Sequence, residues 1–269
     1  MPAKSQQKIA VFLSFDGNDK GLILWGVKLA VLFRKELCLV YLLKKEKEKA
    51  RCNAVLAGYM AVVNNELPDL NTSTMLLDSS LVNAPSLLAD NYEVILIVTH
   101  GSGFKKYLKS LSGSPVPFFF TGNSLPEANL IKKIMVPVDL RKANNEAGIW
   151  ASYFGRFNQS EIHLLAANDT ERDNSKQVSR NVHYINNILS KFSIPSKVFR
   201  GKKGSFGIQM EALEVARETA SDLLITTASS KITIIDIIIG LPELKILQAA
   251  GKMPLLLINP RKDMYVMCD

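Results

Sequence analysis

Short unbroken apolar runs alternate along this chain with longer segments whose apolar residues recur every three or four positions. That is the pattern of buried strands separated by amphipathic helices. The first run, residues 9–15 (IAVFLSF), predicts a strand and is followed by Asp16-Gly17-Asn18-Asp19, residues suited to a turn. Leu22, Trp25, Leu29 and Phe33 then mark one face of a helix over 21–34. A second strand is predicted at 37–43. An alternating Lys/Glu run over 44–51, read as a solvated helix face, leads into a helix reaching Glu66 with Val55, Leu56, Met60 and Val63 inward. Residues 74–77 form a weak third strand, 85–89 a short helix with Pro85 in its first turn, and 94–99 (VILIVT) a strong fourth strand. After His100-Gly101-Ser102-Gly103 only about a dozen residues precede a fifth strand at 117–120.

A linker-like stretch, TGNSLPEAN (121–129), then intervenes, and the order repeats. Strands are predicted at 133–138, 162–167, 197–199, 223–226 and 255–258. Helices are predicted at 144–157, 177–192, 208–220 and 242–250. The phrase KKIMVPVD, ending at Asp139, echoes KIAVFLSFD, ending at Asp16, 123 residues earlier. Strands alternating with helices of this length imply right-handed crossovers and a parallel sheet. The predicted fold class is therefore α/β, with two tandem doubly wound parallel five-stranded sheets, in domains 1–122 and 131–269. An aspartate at the carboxyl end of a first strand stands where open α/β sheets bind ligands.

Composition narrows the function classes. The formal charge is +8, but residues 1–125 and 126–269 each contribute +4 and there is no basic arm, so no nucleic-acid partner is expected. No apolar stretch approaches the ~20 residues of a spanning helix, so membrane insertion is not expected either. The first seven residues are polar and lack the apolar core of a signal peptide, and a cytoplasmic location follows as an expectation. The three cysteines (Cys38, Cys52, Cys268) lack metal-ligand spacing.

With the duplicated strand–aspartate phrase, ASDLLITTASS and GKMPLLLINP in place, the sequence resembles a tandem universal stress protein, a member of the adenine nucleotide alpha hydrolase-like class of α/β domains. The resemblance spans nearly everything from Lys8 to Pro260 and is stronger in the second copy. It implies that strand one lies beside strand four, with a nucleotide site between their ends. It also implies that the last strand of each copy pairs across an interface, giving an intrachain pseudo-dimer through 117–120 and 255–258, and that further homodimerisation is to be expected. Many family members bind ATP with the strand-one aspartate and a phosphate loop, Gly-x2-Gly-x9-Gly-[Ser/Thr], whose glycines let amide N–H groups cradle anionic oxygens. Here Thr227 and Ser230 replace the first two glycines, Gly240 holds the third, and Leu241 replaces the hydroxyl. In the first copy Val98 and Gly101 hold the first two positions, and the stretch that follows is too short for the loop and its helix. Pro137, Val138 and Asp139 remain suited to adenine and ribose, with Ala167 where the second strand meets the base. Asp16, His100 and Gly101 outline the corresponding N-terminal cleft.

Each of these residues also has a plainer reading. Asp139 suits a turn or helix cap, Gly240 a bend before Pro242, and Lys202-Lys203 either an anion contact near the helix from Ile208 or a solvated loop. His163 falls in a strand and His183 on a helix. No catalytic residues and no metal site are predicted. The leading expectation is a non-enzymatic cytoplasmic stress or regulatory protein that binds a partner or small ligand, with degenerate nucleotide sites and no certain cofactor. The alternatives are an ATP- or adenine-nucleotide-binding stress protein using the C-terminal domain, with slow phosphohydrolase activity, and a regulatory module acting on a transporter. In the segment KITIIDIIIG (231–240), six isoleucines stand where a small polar loop belongs, so it is either core or an interface.

Overall fold

The computed structural model describes residues 6–122, 125–126, 131–228 and 242–259. Ser230, Gly240 and the isoleucine-rich segment 231–240 lie outside the described residues. The chain divides into two compact units at Pro126/Glu127.

The first unit runs β1 (Lys8–Phe12), α1 (Asp19–Phe33), β2 (Glu36–Leu42), α2 (Lys49–Glu66), β3 (Thr72–Leu77), α3 (Ala84–Tyr92), β4 (Val94–His100), α4 (Phe104–Gly113) and β5 (Phe118–Thr121). Its strands are all parallel, in the order β3-β2-β1-β4-β5. The second unit runs β6 (Lys133–Val138), α5 (Asn144–Asn158), β7 (Glu161–Ala166), α6 (Arg172–Lys191), β8 (Ser196–Arg200), α7 (Ile208–Glu218), β9 (Leu223–Thr227), α8 (Pro242–Ala250) and β10 (Leu255–Ile258). Its order is β8-β7-β6-β9-β10, again all parallel. The two orders are the same when each unit's strands are counted from its own start. Each is an α/β unit with a doubly wound, five-stranded sheet.

The central strands are apolar on both faces, as parallel strands covered by crossover helices must be. Four of the five residues of β1 are buried, as are five of six in β6 and six of seven in β4. At the edge, β8 has all five residues exposed. Non-glycine residues in left-handed conformation end α1, α3 and α5: Arg34 closes α1 by donating its N–H to Ala30 and Val31 carbonyls, Glu93 closes α3 through Leu88, and Gln159 closes α5 through Phe154.

Two expectations need correction. The first strand stops at Phe12 rather than Phe15. Leu13 still donates to the Val40 carbonyl (2.9 Å), but Phe15 is left-handed (φ 58°), and the Ser14 and Phe15 amides turn to the Asp19 carboxylate. The stretch between β4 and β5, expected to be too short for the phosphate loop and its helix, holds the ten-residue α4. Phe104, Tyr107 and Leu111 supply its buried face at helical spacing, despite the Ser/Gly-rich surroundings.

Helix α1 packs closely on its sheet because Gly26 has no side chain: a Cβ there would fall inside the contact shell of buried Val11 and 3.1 Å from a Leu37 methyl. Gly58, on α2, faces open space. Gly26→Ala is therefore expected to destabilise the first unit by about 1–3 kcal/mol. Gly58→Ala, a helix-interior change with room, should stabilise it by roughly 0.5–1 kcal/mol. Urea unfolding of the two variants checks this, and equal effects would contradict the packing argument.

Candidate ligand sites at the carboxyl ends of the strands

In the second unit, β6, β7 and β9 end side by side and bring Pro137, Val138, Asp139, Ala167 and Thr227 together. Ala167 donates its amide to the Val138 carbonyl (2.9 Å), and Thr227 is buried at the end of β9. The Thr227 hydroxyl has no hydrogen-bond partner among the described residues.

Asp139 is 2% exposed. Its Oδ1 accepts from the Arg141 amide (2.8 Å) and from Asn144 Nδ2 (2.8 Å), and its Oδ2 accepts from Arg141 Nε (2.8 Å) and Nη2 (2.5 Å). A carboxylate offers about four lone-pair positions. All four are taken. Even the Asp139 backbone carbonyl is used, receiving Asn144 Nδ2 at 2.9 Å and Asn181 Nδ2 at 2.8 Å. The Arg141 guanidinium then reaches across to the end of β9, where Nη1 donates to the Thr227 carbonyl (3.2 Å). Gln209 of α7 completes the arrangement. Arginine has only donors to offer, so the amide oxygen faces it and accepts from Nη1 at 3.0 Å. Arg141 thus occupies the crevice between the first and fourth strands of this unit. Its bidentate grip matters chiefly to the buried carboxylate, which would be stranded without it, whereas the guanidinium is about a third exposed.

Nearby, the loop after β8 is tied down internally. The Lys202 and Lys203 amides both donate to the Glu211 carboxylate (2.7 Å each), and Ser205 Oγ donates to Asp169 (2.5 Å). The amides that would meet an anion beside Lys202-Lys203 already hold one from α7. The lysine side chains themselves are exposed.

In the first unit Asp16 is exposed and accepts from the Asn18 amide (2.8 Å), which makes it a turn residue. The buried carboxylate is Asp19, 1% exposed, which accepts from the Ser14 amide (3.0 Å), the Phe15 amide (2.7 Å) and the Tyr59 side chain. Burial raises its pKa above the ordinary value, and those hydrogen bonds oppose the rise. His100 ends β4, and its Nδ1 accepts from the Ser102 amide (3.1 Å), capping the turn Gly101–Gly103. A Cβ on Gly101 would lie 2.7 Å from the Thr121 carbonyl, so this glycine is required by the approach of β5. His163 is buried in β7 with its ring against Phe199 (5.2 Å), and His183 lies on α6.

A cavity of about 310 Å³ opens where β1 and β2 end, lined by Phe12, Tyr41, Lys44, Leu81, Lys106 and Tyr107 among others. Among the described residues no three His, Cys, Asp or Glu side chains are grouped to hold a metal, and no helix is long and apolar enough to cross a membrane.

The strand order and the placement of both clefts decide the fold's affiliation. This is the universal-stress-protein fold. A universal stress protein from Archaeoglobus fulgidus superposes with a TM-score of 0.69 at 12% identity, covering 96% of this chain and 97% of that one. A functionally unknown protein from Pseudomonas aeruginosa gives 0.60 at 14% identity over 95% and 93%. The cytoplasmic domain of a prokaryotic cation chloride cotransporter gives 0.52 at 9% identity over 94% and 95%. No protein-family model matches the sequence, and no curated protein matches it.

Sequence reasoning missed Arg141, Asn144, Asn181 and Gln209 around Asp139, and Asp19 in the first unit. The Asp-Leu-Arg spacing after a strand was the available signal for Arg141. The partners on α6 and α7 have none, because only the fold brings them near.

Tyr107, at the first cavity, gives a pH test. Burial pushes its phenol up to about 12 from the ordinary 10.0, against a hydrogen bond to Thr99 that lowers it. The unfolded chain therefore loses this proton before the folded one does. Its contribution is fully present below pH 10 and lost as pH rises toward 12, by about 2–3 kcal/mol. Stability profiles over pH 9–12 should be flatter for Tyr107→Phe than for the unsubstituted chain, and parallel profiles would contradict the burial argument.

Proposed function

We propose that this chain is a cytoplasmic, non-enzymatic binding protein of the universal-stress type, in which the second unit has given up adenine-nucleotide binding. One observation carries the reading: all four acceptor positions of Asp139 are filled by Arg141 and Asn144. A ribose hydroxyl or adenine amine finds no free acceptor there. An incoming nucleotide would have to break a half-buried, bidentate ion pair before reaching that carboxylate. The replacement of two phosphate-loop glycines by Thr227 and Ser230 supports the same conclusion from the sequence. Titration calorimetry with ATP and Mg²⁺ should give a dissociation constant weaker than about 1 mM. Micromolar affinity that disappears in Asp139→Ala, with the fold verified by its melting temperature, would overturn the reading in favour of a nucleotide-binding stress protein.

The proposal includes intrachain pairing of the last strands, β5 and β10, and a further homodimer. Each of these strands has one hydrogen-bonded neighbour within its own unit, and an apolar strand edge left open is an aggregation hazard. Amides of Phe118–Thr121 and Leu255–Ile258 should then exchange with deuterium as slowly as those of β4 and β9. Fast exchange along either strand would defeat the pairing.

A further inference from the structure

The two clefts are not closed alike. In the second unit a guanidinium fills the crevice. In the first, the buried carboxylate of Asp19 is spent on its own turn, and the cavity of about 310 Å³ beside it remains open. We propose that this first-unit cavity is the working ligand site of the protein, and that it takes a small aromatic anion: a flat apolar body bearing one carboxylate or phosphate group. The inference rests on the proposed function, in which the second unit is closed to nucleotides.

Three features of the cavity select that chemistry. The first is its size, at the small end of the range for ligand pockets. The second is its aromatic wall, which is rigid. Tyr41 is stacked on Phe15 with centroids 3.9 Å apart and planes within 3°. Tyr107 packs among Phe12, Phe118 and Phe120 at 5.8–6.2 Å, with its hydroxyl engaged by Thr99. Of the lining rings, Phe12 and Tyr107 are buried beneath the surface, and the partly exposed Tyr41, backed by Phe15, offers a planar guest its free face or edge at little entropic cost.

The third feature is the charge at the mouth. Lys44 and Lys106 both line the cavity and are exposed, and neither has a carboxylate partner among the described residues. The Lys106 ammonium lies 5.0 Å from the Tyr107 ring centroid, at the edge of the apolar wall. Lys8 and Lys49, by contrast, are paired with Glu36 and Glu46. Two cations without a carboxylate partner at the rim of a pocket walled by Tyr41 and leucines attract an anionic group and leave the ring to the interior. The turn amides of Ser14 and Phe15 already serve Asp19 and are not free to cradle a phosphate chain. The anion is therefore held by the lysines rather than by the backbone, and a single charged group suffices.

The test is calorimetry on the full chain with four probes: naphthalene-2-carboxylate, 2-naphthyl phosphate, naphthalene-2-carboxamide and AMP. One of the two naphthyl anions should bind once per chain, about tenfold or more tighter than the neutral amide, and which one wins identifies the charged group. Lys44→Gln with Lys106→Gln should weaken that anion by at least about tenfold, in keeping with loss of charge-assisted contacts. Leu81→Trp, which fills the cavity, should abolish binding, with an unchanged melting temperature showing that the fold survives. Binding of the amide as tight as the anions, indifference to the lysine changes, or no binding at 1 mM would each overturn the proposal. So would AMP binding more tightly than both naphthyl anions and lost in Leu81→Trp. ATP binding lost only in Asp139→Ala overturns the reading of the second unit instead, so the two failures are separable.

Discussion

A parallel sheet whose strands are buried on both faces has room for a charge only at its ends. The same ends carry unsatisfied backbone groups and face the crevice formed where the strand order reverses. Everything of chemical interest in this chain is a response to that constraint. Asp19 and Asp139 are both almost wholly buried, and each is stabilised by donors from its own neighbourhood. The responses differ in kind. Asp19 draws on backbone amides and a tyrosine, has no cation paired with it among the described residues, and has its pKa raised by burial. Asp139 recruits an arginine two residues on, along with asparagines from α5 and α6.

That difference sets the two strand ends apart. An arginine is long enough to reach from the end of one strand to the end of its neighbour in the sheet, and Arg141 does so, from Asp139 to the Thr227 carbonyl. A carboxylate satisfied by local amides blocks only its own turn. With the same strand order, the two units thus differ in how the buried carboxylate beyond the first strand is satisfied, by turn amides at Asp19 and by an arginine at Asp139. Closure by this ion pair is also costly to reverse, because opening it leaves the buried Asp139 carboxylate without its cation.

The fold was legible because its signals are local and repeated. The runs that became β1, β4, β6, β9 and β10 are apolar almost throughout, and the echo of one strand–aspartate phrase 123 residues on exposed the duplication. The site was less legible, for a physical reason. Asp139, Pro137, Val138, Ala167 and Thr227 could be placed because they sit at strand ends, a position that periodicity reveals. Asn181 and Gln209 sit on helices whose rotation about the sheet is set by packing, and no pattern announces that their amides point inward. The exchange of Asp16 for Asp19 has the same origin. Both lie in one polar turn, and only the left-handed step at Phe15 determines which is buried. Helix α4 is hard to foresee because three buried residues are a thin signal among serines and glycines.

At Gly101, steric crowding and ligand chemistry would demand the same residue. Its lack of a Cβ is required by the Thr121 carbonyl, which would lie 2.7 Å from such an atom, within the sheet of its own unit. It nevertheless stands at a position where a nucleotide-binding loop would also require glycine. A residue kept for packing can therefore imitate the remnant of a binding motif, and the imitation will outlast any ligand, since steric demand alone maintains it. Surveys that score such chains by surviving loop glycines will count this copy as partly competent. The better guide is the neighbouring carbonyl: where backbone crowds a glycine, its persistence carries no memory of phosphate.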